Sequence, residues 1–184
     1  MYMKRNILVF GSISGIIVGT LMALSLFWAN QGHDIKEGML LGYASMVIAL
    51  SLIYVGVRNF RDKYNDGVIS FGKALKLALG ITLIASTIYV AVWLVEFYGF
   101  IPDFMDKYTA AHLQQVKASG LNPAELQKQV AEMESQRDAY DHNPLVVVFY
   151  TYLEIVPVGV IISLLTALLL KRRQRPSRTS AAMA

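Results

Sequence analysis

The sequence predicts an all-α integral membrane bundle of four transmembrane helices, with an extracytoplasmic helical hairpin between helices 3 and 4. Three observations carry this. Of the 184 residues, 55% are hydrophobic and only 16% are charged, well below the roughly 25% charge of an ordinary soluble domain. The apolar residues are gathered into four long runs, each long enough at 1.5 Å per residue to cross a hydrocarbon core about 30 Å thick. The charge that remains lies between the runs and is strongly biased in sign. The expected organisation is one membrane domain, residues 1–173, followed by a disordered cytoplasmic tail, residues 174–184. Cysteine is absent, which excludes disulfides, thiolate metal sites and cysteine nucleophiles.

The first span, residues 7–29, carries no charge and follows a head with Lys4 and Arg5. Its apolar run is longer than the core of a signal peptide, about 7–15 residues, so an uncleaved helix is expected. Gly11, Gly15, Gly19 and Ala23 recur every four residues and form a strip without side-chain bulk, the kind that lets membrane helices approach closely. The second span, residues 39–57, repeats the pattern with Gly42, Ser45, Ala49 and Gly56. Because the intervening link is short, the first two spans are expected to form a tight hairpin through these strips, with Gly11, Gly15, Gly19 and Gly42 as packing residues.

A basic loop from Arg58 to Lys76 follows. Within it Asn65-Asp66-Gly67 is a turn signal and Ser70 is a candidate cap for the third helix. The third span covers residues 77–101, with Trp93, Glu96 and Tyr98 near its far end. The insert at residues 102–144 is too long to be structureless. Its first half, opening at Phe104 and Tyr108, should stop at Gly120, and Asn122-Pro123-Ala124-Glu125 is a helix start with a cap, a proline at the first position and a glutamate three residues past the cap. Leu126, Val130 and Met133 lie on one face of that second helix. Asn143-Pro144 repeats the start signal and opens the fourth span, residues 145–170, which ends on Lys171-Arg172-Arg173.

Charge sets the expected orientation. Placing the head in the cytoplasm puts twelve of the seventeen basic residues there, with Asp62 and Asp66 as the only acids on that side. By the positive-inside rule both termini are cytoplasmic and the insert is extracytoplasmic. Trp28, Trp93 and Tyr98 would then mark the outer interface and Tyr54 the inner one. The basic run after the fourth span lacks interleaved aromatics. It reads as an anchor on anionic lipid, and no nucleic-acid partner is expected.

Candidate chemistry centres on Glu154. It lies about 13 Å into its span at the helical rise, near the midplane, where a carboxyl is carried neutral, paired, or beside water. Tyr150 and Thr151 are within a turn of it, and Pro157, lacking an N–H, leaves the Leu153 carbonyl without its helical donor. Glu96, sharing a face with Tyr89 and Trp93, reads as interfacial, or as the second half of a relay if it comes within reach of Glu154. Nothing points to an enzyme. Gly11-Ser12-Ile13-Ser14-Gly15 has isoleucine at the centre and so fails G-x-S-x-G, and neither H-E-x-x-H nor a phosphate-cradling glycine loop occurs. Asp138, Asp141 and His142 form a weak metal-like grouping, too few for a site, so no metal and no cofactor are expected.

The run Ile53-Tyr54-Val55-Gly56-Val57-Arg58-Asn59-Phe60-Arg61-Asp62-Lys63, followed by Ile69-Ser70-Phe71-Gly72-Lys73-Ala74-Leu75-Lys76, resembles a bacterial family of four-span membrane proteins known only as a domain of unknown function. The likeness covers about Lys4 to Arg173; the first span and the long insert agree with it in layout alone. It implies an inner-membrane location and four helices, and brings no activity, substrate or catalytic residue. The leading functional expectation is a non-enzymatic membrane protein whose partners are the lipid bilayer and either further copies of itself or another membrane protein. The alternative is a proton- or ion-coupled transporter or channel component using Glu154 beside a kink at Pro157.

Overall fold

The computed structural model describes residues 2–30, 35–118, 120 and 122–172, with side chains throughout except at 28–30, 35–39 and 115. The expected tail from residue 174, the link around His33 and the interfacial position of Trp28 lie outside the described residues. Seven helices follow one another: α1 (Tyr2–Asn30), α2 (Ile35–Leu50), α3 (Leu52–Tyr64), α4 (Phe71–Gly99), α5 (Phe104–Ala118), α6 (Pro123–His142) and α7 (Pro144–Leu170). Four segments are long and apolar enough to cross a membrane: Tyr2–Phe27, Leu40–Tyr64, Phe71–Gly99 and Pro144–Leu170. The second joins α2 and α3 through a tightened turn at Ser51. There the Ser51 N–H donates to the carbonyls of both Val47 (3.0 Å) and Ile48 (3.3 Å), and the hydroxyl also donates to Ile48 (2.6 Å).

The helices run further into the basic region than the apolar pattern alone predicts. In α3, Ile53, Gly56, Val57 and Phe60 form a buried stripe that continues past Arg58, and Arg58 pairs with Asp62 one turn on at 3.6 Å. The loop expected from Arg58 to Lys76 therefore shrinks to Asn65–Ser70. Its turn uses Asp66 and Gly67 at positive φ, 52° and 73°, and closes with the Val68 N–H on the Asn65 carbonyl at 3.0 Å. Ser70 caps α4 by accepting from the Lys73 N–H. The loop is tied to the end of α7 by an isolated bridge in which the Arg172 N–H donates to the Ile69 carbonyl at 2.9 Å. At the same end the Tyr2 ring stacks on Tyr64, 4.9 Å between centroids. Both described ends of the chain thus meet the Tyr64–Ile69 turn, and this end carries Lys4, Arg5, Arg58, Arg61, Lys63, Lys73, Lys76, Lys171 and Arg172.

The glycine strip of α1 meets α4 rather than the second span. A Cβ built at Gly11 would fall 2.6 Å from Ile84 Cβ, one at Gly15 2.8 Å from Ile88 Cβ, and one at Gly19 2.9 Å from Val92 Cγ2. These contacts advance together along the two helices, so α1 and α4 run parallel. From the other side Gly80 receives Ile7 in the same way. The first two spans do lie against each other, but not glycine strip to glycine strip as expected. Gly42 has nothing within 4 Å of a Cβ position, and contact with α1 is made instead by the Ser14 hydroxyl donating to the Ala49 carbonyl at 2.7 Å. Gly56 does sit in a close approach, against both Phe10 and Ile81. The reason is geometric: only α4 presents β-branched side chains spaced one turn apart alongside the strip, and these fill it as ridges fill a groove.

On its opposite side α4 packs antiparallel to α7. Gly159 lies against Thr82, the Thr82 and Ser163 hydroxyls are 2.9 Å apart, and those of Thr87 and Tyr152 are also 2.9 Å apart. The core that results includes Leu50, Ile53, Val57, Leu77, Ile81, Val147 and Ile155, all fully buried.

The insert forms two helices, as its caps predict. Gly120 at φ 71° follows α5, and Asn122 accepts from the Glu125 N–H at 2.9 Å at the start of α6. Leu126, Val130 and Met133 are half-buried along α6, and Arg137 pairs with Asp106 across the hairpin. The hairpin is fastened to the bundle by aromatic rings. The Trp93 Nε1–H donates to the Tyr140 hydroxyl at 2.8 Å, the Phe104 ring meets Trp93 edge-on at 5.1 Å, and Phe97 meets Tyr140 edge-on at 5.3 Å.

Two outcomes follow for purified protein in detergent. Replacing Gly15 by leucine should destabilise the bundle by about 1–3 kcal/mol or more, whereas Gly42→Leu should stay within about 0.5 kcal/mol; thermal unfolding checks both, and equal effects would contradict the α1–α4 seam. Replacing Tyr140 by phenylalanine leaves the buried Trp93 N–H without its acceptor at a cost of about 1–3 kcal/mol. Protease cleavage should then rise in α5 and α6 before it rises in the spans, and an unchanged cleavage pattern would refute the fastening role.

Candidate functional site

The buried stripe of α7 is Val147, Thr151, Ile155, Gly159 and Ser163, all directed at the bundle. Glu154 lies one residue off that stripe and is exposed, with its carboxyl within electrostatic reach of the Tyr43, Tyr89 and Tyr140 hydroxyls of α2, α4 and α6; Leu153, Pro157 and Tyr150 are exposed nearby. It is ten residues from the start of α7, roughly 15 Å along the axis, near the middle of a span. Among the described residues it makes no hydrogen bond and no ion pair. Thr151, which the sequence placed within reach, faces inward and donates to the carbonyl of Val147 at 2.7 Å. Pro157 sits within an unbroken helix and removes the N–H that the Leu153 carbonyl would otherwise receive. The Glu154 carboxyl, a carbonyl without its helical donor and the Tyr150 hydroxyl therefore lie within about one turn of one another on α7.

Glu96 is elsewhere. Thr87 of α4 is level with Tyr152 of α7, which places Glu154 near that level and Glu96 roughly 15 Å further towards the insert. The two carboxyls do not hydrogen-bond each other, and the buried Tyr89 phenol lies within electrostatic reach of both. Glu96 occupies the last turn of α4, where its carbonyl accepts from the N–H groups of Phe100 (2.8 Å) and Ile101 (3.0 Å). Its Oε2 is enclosed without a hydrogen-bond partner, as are Asn6 Oδ1 and Ser86 Oγ.

Sequence reasoning missed Tyr140. The available signal was an aromatic residue in the otherwise charged run Arg137-Asp138-Ala139-Tyr140-Asp141. Burial pushes its phenol above the usual range, with the Trp93 and Thr151 hydrogen bonds opposing that shift. On the exposed side of the same junction, Lys107 at 2.7 Å holds the Asp103 carboxyl below its ordinary value. An open groove between α6 and α7 is lined by Ser135, Gln136, Ala139, Val146, Phe149 and Tyr150, one helical turn from Glu154.

The metal-like grouping does not assemble. Asp141 is turned to Arg137 at 3.6 Å, His142 contacts the Asp138 carboxylate at 3.1 Å, and no cluster of three ligating side chains occurs among the described residues.

The family model described as "Protein of unknown function (DUF4199)" matches residues 9–172, an extent that takes in all four apolar helices and the insert. Neither a curated protein nor a solved structure matches the chain. With nearly its whole length matched, this multi-pass helical chain belongs to the DUF4199 family of proteins of unknown function.

Proposed function

We propose that this protein is non-enzymatic and acts by associating with another polypeptide inside the bilayer. One observation carries the reading: Glu154 is exposed near mid-span and makes no hydrogen bond or ion pair among the described residues, although the Tyr43, Tyr89 and Tyr140 hydroxyls lie around it. Hydrocarbon offers it no hydrogen bond, so a contact from outside the chain relieves a group that the fold leaves unsatisfied. The centre of the bundle supports association over conduction. Ile53, Val57, Leu77, Ile81 and Ile155 are fully buried along it, and Gly159 is in close contact with Thr82, so a polar path through one copy has no room. The glycine strip of α1 is occupied by α4 and is not the associating surface. The transport reading retains one specific support, the placement of Glu154 beside Pro157.

Proteoliposomes loaded with a pH-sensitive dye separate the two. Under an imposed gradient, wild type and Glu154→Gln should both leak protons at the rate of empty vesicles. A wild-type flux abolished by the substitution would overturn the association reading.

The basic end is assigned to the cytoplasm of an inner membrane, and the α5–α6 hairpin to the far side, because the cations cluster at one end of the bundle with only Asp62 and Asp66 among them. A phosphatase that is active only outside the cytoplasm should be silent when fused after Ala184 and active when inserted at Gly120. The reverse pattern would invert the assignment.

A further inference from the structure

We propose that the recess formed by Glu154 of α7, Tyr43 of α2, Tyr89 of α4 and Tyr140 of α6 is a binding site for a small primary amine with one apolar chain, which enters from the bilayer and takes the carboxyl proton. This goes beyond the association reading, since it concerns what the recess holds and not which polypeptide lies against the bundle.

Four helices converge here. Thr87 of α4 and Tyr152 of α7 are level, their hydroxyls 2.9 Å apart. Tyr89 and Glu154 lie two residues from that level in opposite directions, about 6 Å apart in height at the helical rise, a gap that a tyrosine side chain spans. Tyr140 is held at the same junction by the Trp93 Nε1–H at 2.8 Å, and its ring stands 6.4 Å from that of Tyr150, one turn from Glu154. The hydroxyls of Tyr43, Tyr89 and Tyr140 all lie within electrostatic reach of the carboxyl. The group runs inward from the surface: Tyr43 and Tyr150 are half exposed, whereas Tyr89 is only 4% exposed. Buried as it is, the Tyr89 phenol makes no hydrogen bond among the described residues. The floor of the recess is therefore polar and unsatisfied.

What the recess lacks is a base. Its groups are one carboxylic acid and phenols, each with an O–H to donate. Arg137, one turn from Tyr140, is already held by Asp106 and Asp141, and α4 carries no basic residue after Lys76 and α7 none at all. Hydrocarbon favours the neutral forms of carboxyl and amine alike. Where the two meet, the carboxyl O–H passes its proton to the amine nitrogen, and the resulting carboxylate and ammonium add no net charge to the span. The ammonium then has three N–H donors for the carboxylate and for the phenol oxygens of Tyr43 and Tyr89. An alcohol forms no such ion pair, and a second acid meets a group of its own kind. Leu40, Tyr43 and Val47 succeed one another along one face of α2, 75%, 46% and 52% exposed, a track for the apolar chain. Glu154 is roughly 15 Å along the axis from the start of α7, too deep for a lipid headgroup amine, so the ligand is a free amine.

The test titrates octylamine and 1-octanol into the purified full-length protein in dodecyl maltoside, following binding by calorimetry and the carboxyl by infrared difference spectroscopy. Octylamine should fill one saturable site and convert a protonated carboxyl to carboxylate, and octanol should bind roughly tenfold more weakly or worse. Glu154→Gln should abolish the carboxylate signal and weaken octylamine roughly tenfold, and Tyr89→Phe, which keeps the ring, should weaken it about threefold. No saturable site in the wild type, equal affinity for octanol, or a carboxylate signal that persists in Glu154→Gln would overturn the proposal. The wild-type titrations decide it alone if a variant does not fold. In vesicles, the octylamine affinity should be the same in phosphatidylethanolamine as in phosphatidylcholine; competition by the ethanolamine lipid would overturn the assignment to a free amine.

Discussion

The close approach of α1 to α4 is the contact on which the remaining structure depends. In hydrocarbon no hydrophobic force drives helices together, because lipid tails are as apolar as leucine, and packing must come from surfaces that fit. Gly11, Gly15 and Gly19 provide a groove one atom deep, and Ile84, Ile88 and Val92 fill it. With α1 fixed on one side and α7 fixed on the other through Gly159 and Thr82, α4 becomes the post around which the spans are arranged. The second span is then held by Ser14 on Ala49 and by Gly56 wedged between Phe10 and Ile81. The insert hangs from the far end of the same helix, through Trp93 and Phe97.

Much of this was readable in the sequence, and the division between what was and was not has a physical basis. Spans are set by length and composition, and caps by a few adjacent residues, so the four apolar helices and the starts at Ser70, Asn122 and Asn143 could be read locally. The glycine strip was legible as a strip, but its partner was not. Every helix in a bilayer offers an apolar face, and only three-dimensional register decides which one carries β-branched ridges at the matching heights. Chain proximity favoured the second span; shape favoured the third. The helical run through Arg58–Tyr64 was hidden by its charge, although the buried stripe ending in Phe60 continues unbroken beneath it. Tyr140 escaped notice because its role depends on a tryptophan 47 residues away in the chain.

The polar side chains of the spans differ in whether a local hydrogen bond is open to them. A hydroxyl can be satisfied by its own helix, since it donates to a carbonyl in the preceding turn, as Ser25 does to Met22 and Thr87 to Leu83. It can also be satisfied across a seam, as Ser14 is by Ala49 and Thr82 by Ser163. A carboxyl has no such local remedy, because it needs a donor and the N–H groups of a helix interior are already committed to its own carbonyls. The hydroxyls of Tyr43, Tyr89 and Tyr140 come within electrostatic reach of Glu154 from neighbouring helices without hydrogen-bonding it. Turning the residue inward would have placed it among Thr151, Ile155 and Gly159, against the tightest part of the α4–α7 contact.

An outward carboxyl near mid-span is therefore a constraint on what surrounds the protein rather than on its own fold. Removing it costs the fold no hydrogen bond or ion pair among the described residues, whereas the glycines of α1 cannot be changed without parting two helices. The two kinds of residue that the sequence singled out thus stand in different settings: the glycines in the seam between α1 and α4, and Glu154 at an exposed position on α7. Proline three residues on strengthens that contrast. It weakens the helix by one hydrogen bond without any gain in packing, as Pro157 is itself exposed, and its one local effect is to add a free carbonyl beside the carboxyl. A carboxyl without a hydrogen bond and a carbonyl without its helical donor thus stand within one turn of each other near mid-span, in a solvent that can satisfy neither.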